Sequence, residues 1–496
     1  MRVSVQFLGT LAIAAFLRFS YLDTFPIDRL WESYSRWLID VLTVRNSWIY
    51  APQLAPNAAM GWLPFFQYLS MTVMVVSSNF RIEPLRLTNM ALGLLTIAVL
   101  YMSVWRVFKN HWQATVCALF LAIQPWHIDY STTGSDRILL GLLIVAISHA
   151  MLTGRVKLFS ALAILTMLTA YEGWFIVPLE IVLGLALRQW TLRHVILLGI
   201  ISSSTAVLWV GWNAVTFGSA FYFIASYLQA SGYVFKLNTA GLTFYLVLAT
   251  VMTFGLFLIG LGAMLLRKSP FPSYVRALAV LIAGYVGLYS VAHYFGFDAG
   301  DLPGRLVPIL PIVALSVSFA FPTVPSRRRR QLLVGIILLA MLMIPYYAQT
   351  SIGPKKVYVI PPEQRVGYQL RALYHSGRVI CDLPAVIYYS ELEPGNFVSS
   401  SSISWYAENL SATSLERWFD ANQITFVVWQ NITASPISEI LPMLGASENY
   451  EPPTYVVGSL RFQLVYEDSF ATGHWEHDPS FAGPPPIFVF QVELQP

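Results

Sequence analysis

The sequence predicts a polytopic α-helical membrane protein, with about eleven transmembrane helices, followed by a C-terminal extracytoplasmic α/β domain. Of the 496 residues, 56% are hydrophobic and 11% are charged, whereas a typical soluble domain has about 25% charged residues. The mean hydropathy of +0.59 excludes a soluble enzyme and a disordered chain. The net charge of +4 is too small to indicate a nucleic acid partner.

Charge also divides the chain into two regions. The first 349 residues contain 23 Lys and Arg against 11 Asp and Glu, and the last 147 residues contain 7 against 15. The first region is a series of long apolar runs, whereas the second is acidic and rich in Pro, Ser, Asn and Tyr. We therefore predict a transmembrane domain over residues 1–349, with outer loops at 23–86 and 127–137, and a soluble domain over residues 350–496.

The transmembrane helices follow from the apolar runs, because a span needs about 20 apolar residues. Lys and Arg residues fall in alternate loops, which stay cytoplasmic. The N-terminus is then cytoplasmic, and an odd number of spans places the acidic C-terminal domain outside. The predicted spans are 3–22, 87–105, 110–126, 138–153, 158–170, 174–187, 194–215, 241–266, 277–295, 305–321 and 331–348.

Two parts of this region depart from plain spans. Residues 62–79 are apolar, but a crossing there would reverse the later loops, so we predict a helix that lies along or dips into the outer leaflet. The runs 158–170 and 174–187 reach about 20 Å each, short of the hydrocarbon core of about 30 Å. The turn between them, from Tyr171 to Trp174, is therefore expected to line a recess that opens outward.

In the C-terminal region, helical patterns alternate with strand patterns, which predicts a partly parallel sheet. The predicted helices are 362–376, 415–421 and 436–444. The predicted strands are 378–381, 385–389, 425–429, 461–467 and 486–493, of which the last two form an edge pair.

The first candidate site lies in the loop after the first span. Asp28 and Glu32 have i, i+4 spacing, which puts both carboxylates on one face of a helix. Either carboxylate can then accept a proton as general base. The alternative is that Asp28 caps the helix and Glu32 pairs with Arg29 or Arg36.

The second candidate site is the loop that contains His127, Asp129, Asp136 and Arg137. A cation beside a carboxylate can bind a phosphate or orient a substrate. Two carboxylates with a histidine can also hold a divalent metal. The alternative is that Ser135 or Asp136 caps the span that follows.

The third and fourth candidates are Glu172, in the predicted recess, and Arg305, at the outer end of a span. A carboxylate at that depth needs a partner, and Arg137 or Arg305 can supply it. Arg305 runs against the positive-inside rule, which favours a role in binding a lipid phosphate. The alternative for Arg305 is ordinary snorkelling to head groups. No phosphate loop or zinc-protease motif occurs, which disfavours nucleotide hydrolysis and zinc proteolysis.

Several motifs resemble those of the GT-C superfamily of membrane glycosyltransferases, in particular the branch of protein mannosyltransferases and aminoarabinose transferases. Ala170-Tyr-Glu-Gly-Trp174 is similar to that family's Arg-Tyr-Glu-Gly-Trp, and Gly304 to Pro311 is similar to Arg-Tyr-Leu-Leu-Pro-Leu-Leu-Pro. In two departures, Trp31 stands in place of the catalytic Asp of an Asp-Glu pair, and Ala170 in place of Arg. The remaining matches are Leu17 to Phe19, Glu32 to Tyr34, Trp62 to Leu69 and Gln124 to Arg137.

This resemblance implies a glycosyltransferase that works by a single inverting displacement. Glu32 or Asp28 would deprotonate the acceptor, while Arg305 and Arg137 stabilise the departing polyprenyl phosphate. The implied partners are a polyprenyl-phosphate sugar donor and a glycan, lipid or protein acceptor, and no cofactor is implied beyond the divalent metal considered above. The implied substrate-binding residues are Asp136, Arg137, Glu172, Arg305, Tyr171 and Trp62.

Two other classes of function stay open. One is a transporter or flippase of lipid-linked saccharides, and the other is a non-catalytic membrane scaffold whose C-terminal domain binds a partner. The acidic residues gather on the predicted outer face rather than along a passage through the bilayer, which favours the glycosyltransferase.

Overall fold

The structure is a computed structural model, and it describes residues 5–22, 63–77, 83–224, 239, 241–253, 257–258, 261–262, 264, 272–295, 302–320, 335, 362–381, 383–398, 412–430, 454–468 and 487–494. Asp28, Glu32 and Trp62 lie outside the described residues, as do most of the predicted span 331–348 and the predicted helix 436–444. The chain forms two compact units, a helical one and an α/β one.

The helical unit contains thirteen described helices. A 3-10 turn at Val307–Ile309 joins the last two. The helices are α1 (Val5–Tyr21), α2 (Pro64–Ser77), α3 (Glu83–Phe108), α4 (His111–Ile123), α5 (Pro125–Ser131), α6 (Asp136–Leu152), α7 (Val156–Thr169), α8 (Glu172–Ala186), α9 (Leu192–Phe217), α10 (Gly241–Met252), α11 (Pro272–Tyr294), α12 (Leu302–Leu306) and α13 (Leu310–Ala320).

Three of these helices are long and apolar enough to cross a membrane, over Pro84–Phe108, Leu192–Val215 and Ser273–Tyr294. α5 and α6 are bent by 115° and together meet the same test as a broken span. On α9, the side chains of Val207, Leu208 and Val215 are 66%, 73% and 89% exposed, as expected for a helix that faces lipid. These features indicate a membrane location, while the predicted total of eleven spans stays a prediction.

The predicted pair of short spans forms two short helices, α7 with 14 residues and α8 with 15 residues. They are joined by a tight turn at Ala170 and Tyr171. A Cβ at Gly173 would lie 2.4 Å from the carbonyl oxygen of Thr166, so this turn requires glycine. At 1.5 Å per residue the two helices are about 21 and 22 Å long. The outward recess above their turn stays a prediction.

α2 covers most of the apolar segment 62–79, for which we predicted a helix along the outer leaflet. It begins at Pro64, because proline has no amide hydrogen and suits the first helical position. Leu63 and Phe66 are buried at its start. The helix is therefore present, and its orientation to a bilayer stays a prediction.

The α/β unit contains a six-stranded sheet with strand order β2-β1-β3-β6-β5-β4. β1 pairs with β2 and β3 in parallel, and the other pairs are antiparallel, so the sheet is partly parallel as predicted. The elements are α14 (Pro362–Leu373), β1 (Arg378–Cys381), α15 (Pro384–Ser390), β2 (Phe397–Val398), α16 (Ala412–Ala421), β3 (Ile424–Gln430), β4 (Thr454–Val457), β5 (Leu460–Asp468) and β6 (Ile487–Leu494).

Both faces of the central strands are buried. Val427 and Trp429 of β3 pack in one apolar cluster with Leu415 and Phe419 of α16. Phe426 and Val428 point to the opposite face, where the apolar cluster includes residues of α14 and α15. Arg365 of α14 joins the end of β5 through two hydrogen bonds to Asp468, of 2.7 and 2.6 Å.

Two predictions for this unit are wrong. The predicted strand 385–389 lies in helix α15, which begins at Pro384 and buries Val386 and Ile387 together. A short apolar run has no period that separates strand from helix, and the proline favours a helix start. The predicted edge pair is β5 with β6, but β6 lies between β3 and β5. Its continuous apolar run, Ile487 to Phe490, is buried on both faces, as in a central strand.

Candidate functional site

Glu172 is the centre of the most highly charged cluster among the described residues of the helical unit. It occupies the first turn of α8, where a negative charge interacts favourably with the helix dipole. Its Oε1 accepts hydrogen bonds from Nη1 of Arg137 and from the hydroxyl of Tyr289. Nη1 of Arg305 lies 3.7 Å from the same oxygen. Glu172 thus contacts both of the cations that the sequence indicated as partners.

Arg137 is held by the start of α6. The hydroxyl of Ser135 caps this helix by accepting a hydrogen bond from the amide of Arg137 at 3.2 Å. Oδ1 of Asp136 lies 3.8 Å from Nε of Arg137. The prediction that Ser135 or Asp136 caps the span is therefore correct for Ser135, and Asp136 stays beside the guanidinium group.

The loop before α6 is anchored by Asn89, a fully buried residue of α3. Its Nδ2 donates hydrogen bonds to the carbonyl oxygens of Thr133 and Ser135, at 2.5 and 2.7 Å. Because these carbonyls belong to the three residues before Asp136 and Arg137, Asn89 holds the loop that leads into the two charged side chains. The only sequence signal for Asn89 is a polar residue within an apolar helix.

Arg305 is brought to the cluster by α12 and the 3-10 turn that follows it. The turn packs against α6 closely, since a Cβ at Gly141 would lie 3.4 Å from the carbonyl oxygen of Pro308. The guanidinium carbon of Arg305 lies 5.8 Å from the ring centre of Tyr289, a cation–π distance. The hydroxyl of Tyr285 donates to the backbone oxygen of Arg305 at 2.8 Å.

The charges in this cluster differ in how far they reach the surface. The side chain of Arg305 is 20% exposed, against 14% for Arg137 and 9% for Glu172. Buried charges need opposite charges and hydrogen bonds to be stable, and the cluster provides both for Glu172. Arg305 is therefore the side chain that an incoming anion would reach first.

An aromatic cluster begins at the residue before Glu172. Nε1 of Trp209 donates to the hydroxyl of Tyr171 at 3.2 Å. The ring of Tyr171 meets that of Trp174 edge to face at 5.4 Å, and Trp209 stacks on Trp212 at 4.8 Å. Aromatic faces of this kind can stack on sugar rings, and they are also common where a helix crosses the membrane interface.

Arg18 of α1 is a further buried cation, and it was not a predicted site residue. It donates to the backbone oxygens of Ala14 and Ala122, at 3.0 and 3.1 Å, and lies 2.5 Å from Nδ1 of His127. His127 was a candidate metal ligand together with Asp129 and Asp136. Within the described part of the chain, no three His, Cys, Asp or Glu side chains form a group that could hold a metal ion.

Of the predicted site residues, the structure thus brings together Asp136, Arg137, Glu172 and Arg305. Tyr171 immediately precedes Glu172 in the chain. Asp28, Glu32 and Trp62 cannot be placed, because they lie outside the described residues. Sequence reasoning missed Tyr285, Tyr289 and Asn89. The two tyrosines are four residues apart on α11 and so share one face, a spacing that is also common for ordinary core residues.

No family model and no curated protein matches the sequence. Solved structures do match over most of the chain. ArnT from Cupriavidus metallidurans bound to undecaprenyl phosphate is 14% identical, with a TM-score of 0.59 over 97% of this chain and 97% of that chain. The apo state of ArnT gives a TM-score of 0.58 at 14% identity, over 98% and 97%.

A third match is AglB, the oligosaccharyltransferase from Archaeoglobus fulgidus in complex with an inhibitory peptide and a dolichol-phosphate. It is 13% identical, with a TM-score of 0.53 over 88% of this chain and 70% of that chain. ArnT, an aminoarabinose transferase, and AglB are both GT-C glycosyltransferases. The chain has the GT-C fold. The resemblance that the sequence motifs predicted is therefore confirmed at the level of the fold. The charged cluster lies within this GT-C fold.

Proposed function

We propose that this protein is a glycosyltransferase that moves a sugar from a polyprenyl-phosphate-linked donor to an acceptor on the extracytoplasmic face. The observation that supports the proposal is the convergence of Arg137 and Arg305 on Glu172 within a GT-C fold. Guanidinium groups bind phosphate oxygens with paired hydrogen bonds, and two of them carry enough positive charge to balance the phosphate monoester that departs.

In the proposed reaction, a carboxylate takes the proton from the hydroxyl or amine of the acceptor. The acceptor atom forms a bond to the anomeric carbon from the face opposite to the phosphate, and the bond from that carbon to the phosphate oxygen breaks. The phosphate oxygen keeps the electron pair and leaves as polyprenyl phosphate. This single displacement inverts the configuration at the anomeric carbon.

Each step of this reaction has its own residues in the chain. Arg305, with its exposed edge, and Arg137 stabilise the charge that develops on the phosphate. Glu172 and Asp136 hold the two guanidinium groups in position before the substrate arrives. Glu32 or Asp28 serves as the base, and the ring of Tyr171 contacts the sugar.

The test is transfer of labelled sugar from a polyprenyl-phosphate donor in membranes that contain the protein. We expect Arg305→Gln to lower the rate at least a hundredfold, because a donor aimed at a charge in the transition state is typically worth about two to three orders of magnitude. Of Glu32→Gln and Asp28→Asn, the variant that removes the base should lose transfer, and the other should retain it.

The matched control is Arg276→Gln, which removes an exposed arginine from the beginning of α11, the helix that carries Tyr289. It should transfer sugar at the rate of the unaltered protein. Full transfer by Arg305→Gln, or by Glu32→Gln and Asp28→Asn alike, would contradict the assignments. Movement of the intact lipid-linked saccharide across the membrane without sugar transfer would indicate a flippase instead.

A further inference from the structure

Tyr245, on α10, is a buried residue that neither the sequence motifs nor the proposed reaction uses. Its side chain is fully buried. α10 packs closely on α11, because Gly241 lacks a side chain: a Cβ there would lie 2.9 Å from the backbone nitrogen of Tyr294. Tyr245 lies one helical turn further on, so this contact places its ring against α11.

Tyr245 belongs to a group of three buried tyrosines beside the charged cluster. Its ring centre lies 5.3 Å from that of Tyr289, which in turn lies 5.3 Å from that of Tyr285. The hydroxyl of Tyr289 donates to Glu172, and the hydroxyl of Tyr285 donates to the backbone of Arg305. Among the described residues, the hydroxyl of Tyr245 has no hydrogen-bond partner.

An unsatisfied hydroxyl is costly at such a position, since a buried polar group without a partner loses its hydrogen bonds to water and gains none. Phenylalanine would fill the same space without that loss. Buried polar groups are nearly always paired, so an orphan calls for an explanation such as an absent ligand. The ring of Tyr245 lies against that of Tyr289, whose hydroxyl donates to Glu172, so Tyr245 adjoins the charged cluster.

We infer that the hydroxyl of Tyr245 donates a hydrogen bond to a phosphate oxygen of the polyprenyl phosphate in the bound state. The inference rests on the proposed function, and it names a phosphate contact on α10 that the charged cluster does not include. A phosphate that binds Arg305 and Arg137 would compete with Glu172 for the two guanidinium groups, and Glu172 is bonded to Tyr289, whose ring lies against that of Tyr245. The contact is made when the ligand takes the place of the carboxylate.

The test compares two purified full-length variants, each of which loses one hydroxyl. Tyr245→Phe should bind undecaprenyl phosphate about tenfold more weakly, the equivalent of about 1.4 kcal/mol, while its thermal stability without ligand is unchanged or higher. Tyr101→Phe is the matched control, because Tyr101 is buried on α3 and its hydroxyl lies 3.2 Å from Nδ1 of His111. It should lose stability and keep its affinity.

The possible outcomes distinguish a failure of the proposed function from a failure of the inference about Tyr245. If the unaltered protein does not bind undecaprenyl phosphate, the proposed function fails. If it does bind, and Tyr245→Phe binds equally well, the inference about Tyr245 is wrong while the proposed function stands. If Tyr245→Phe lowers the stability without ligand as much as Tyr101→Phe does, the hydroxyl has a partner in the ligand-free protein, which also overturns the inference.

Discussion

Glu172 shows at the scale of one residue how the charged cluster is balanced. Its carboxylate lies against two guanidinium groups and a tyrosine hydroxyl, and only 9% of its side chain is exposed. Removing one member of a buried ion pair leaves the other charge uncompensated, which typically costs about 3–5 kcal/mol. Glu172 therefore stabilises the ligand-free protein, and in the proposed reaction it would compete with an incoming phosphate.

We predict that Glu172→Gln lowers the stability of the ligand-free protein by about 3 kcal/mol but increases its stabilisation by undecaprenyl phosphate. The amide still accepts hydrogen bonds, whereas the negative charge that competes with phosphate is lost. Thermal unfolding in detergent, with and without undecaprenyl phosphate, measures both effects.

The control for this prediction is Glu391→Gln, which removes a carboxylate that is 54% exposed and paired with Arg371. Exposed ion pairs contribute little to stability, so neither unfolding temperature should change appreciably. An unaltered stability of Glu172→Gln, together with an unaltered response to the lipid, would refute the competition.

At this scale the sequence predicted more of the cluster's charged members than of its neutral ones. Asp136, Arg137, Glu172 and Arg305 were found because charges are rare in apolar segments and each one is therefore conspicuous. Asn89 was missed, because a polar residue in an apolar helix does not indicate by itself which loop it contacts. Tyr289 was missed because tyrosine is common in cores and at membrane interfaces.

At the scale of elements, the site depends on how the start of α6 is held. α3 supplies Asn89, whose amide group bonds the two carbonyls before Asp136. A buried amide that loses such partners leaves the carbonyls unsatisfied and the loop free to shift. Since a small displacement of a positioned group can cost a large part of the rate, Asn89 is a positioning residue for Arg137.

We predict that Asn89→Asp raises the KM for the lipid-linked donor at least tenfold and lowers kcat less. The substitution keeps the shape but replaces the donor with an acceptor that faces two carbonyl oxygens, so the loop before Arg137 is displaced. Steady-state transfer assays with varied donor concentration separate the two parameters.

Thr96→Val is the comparison for Asn89→Asp, because Thr96 is buried on the same helix and, among the described residues, its hydroxyl donates only to the carbonyl oxygen of Leu92 in its own helix. It should leave KM unchanged. Equal KM values for Asn89→Asp and the unaltered protein would show that the loop does not depend on Asn89.

The bounds of an element could be predicted from the sequence where its apolar run was long or where a particular residue marked the end of the run. α7 and α8 begin and end within two residues of the predicted 158–170 and 174–187. The helix at 385–389 was mistaken for a strand, and β6 was mistaken for an edge strand, because both runs are short and apolar. Whether such a run forms a helix or a strand, and whether a strand is central or at an edge, depends on the surfaces that pack against it. The sequence of a short apolar run does not specify those surfaces.

At the scale of the whole molecule, the two units differ in composition as sharply as they differ in structure. The helical unit has apolar side chains facing outward, as on α9, whereas the α/β unit has a sheet covered by helices around two apolar clusters. The sidedness of each loop is a prediction from the positive-inside rule. A label that cannot cross the membrane tests this topology.

We predict that Glu391→Cys is labelled by a membrane-impermeant maleimide in intact cells, and that Lys157→Cys is labelled only after permeabilisation. Both positions are exposed: Glu391 lies in the α/β unit, and Lys157 lies in the first turn of α7. Cys117 and Cys381 are buried, so the unaltered protein gives the background. The reverse pattern would invert the proposed orientation.

The sequence by itself determined that this is a polytopic helical chain with an α/β region, and it determined which charges are scarce enough to mark a site. Both follow from composition and periodicity, because the cost of an exposed polar group in hydrocarbon acts on each segment separately. Only the tertiary structure decided that Glu172 meets both arginines, that Asn89 holds the loop before them and that the hydroxyl of Tyr245 is unsatisfied among the described residues. These are contacts between residues far apart in the chain, and they exist only once helices pack and bring them within bonding distance.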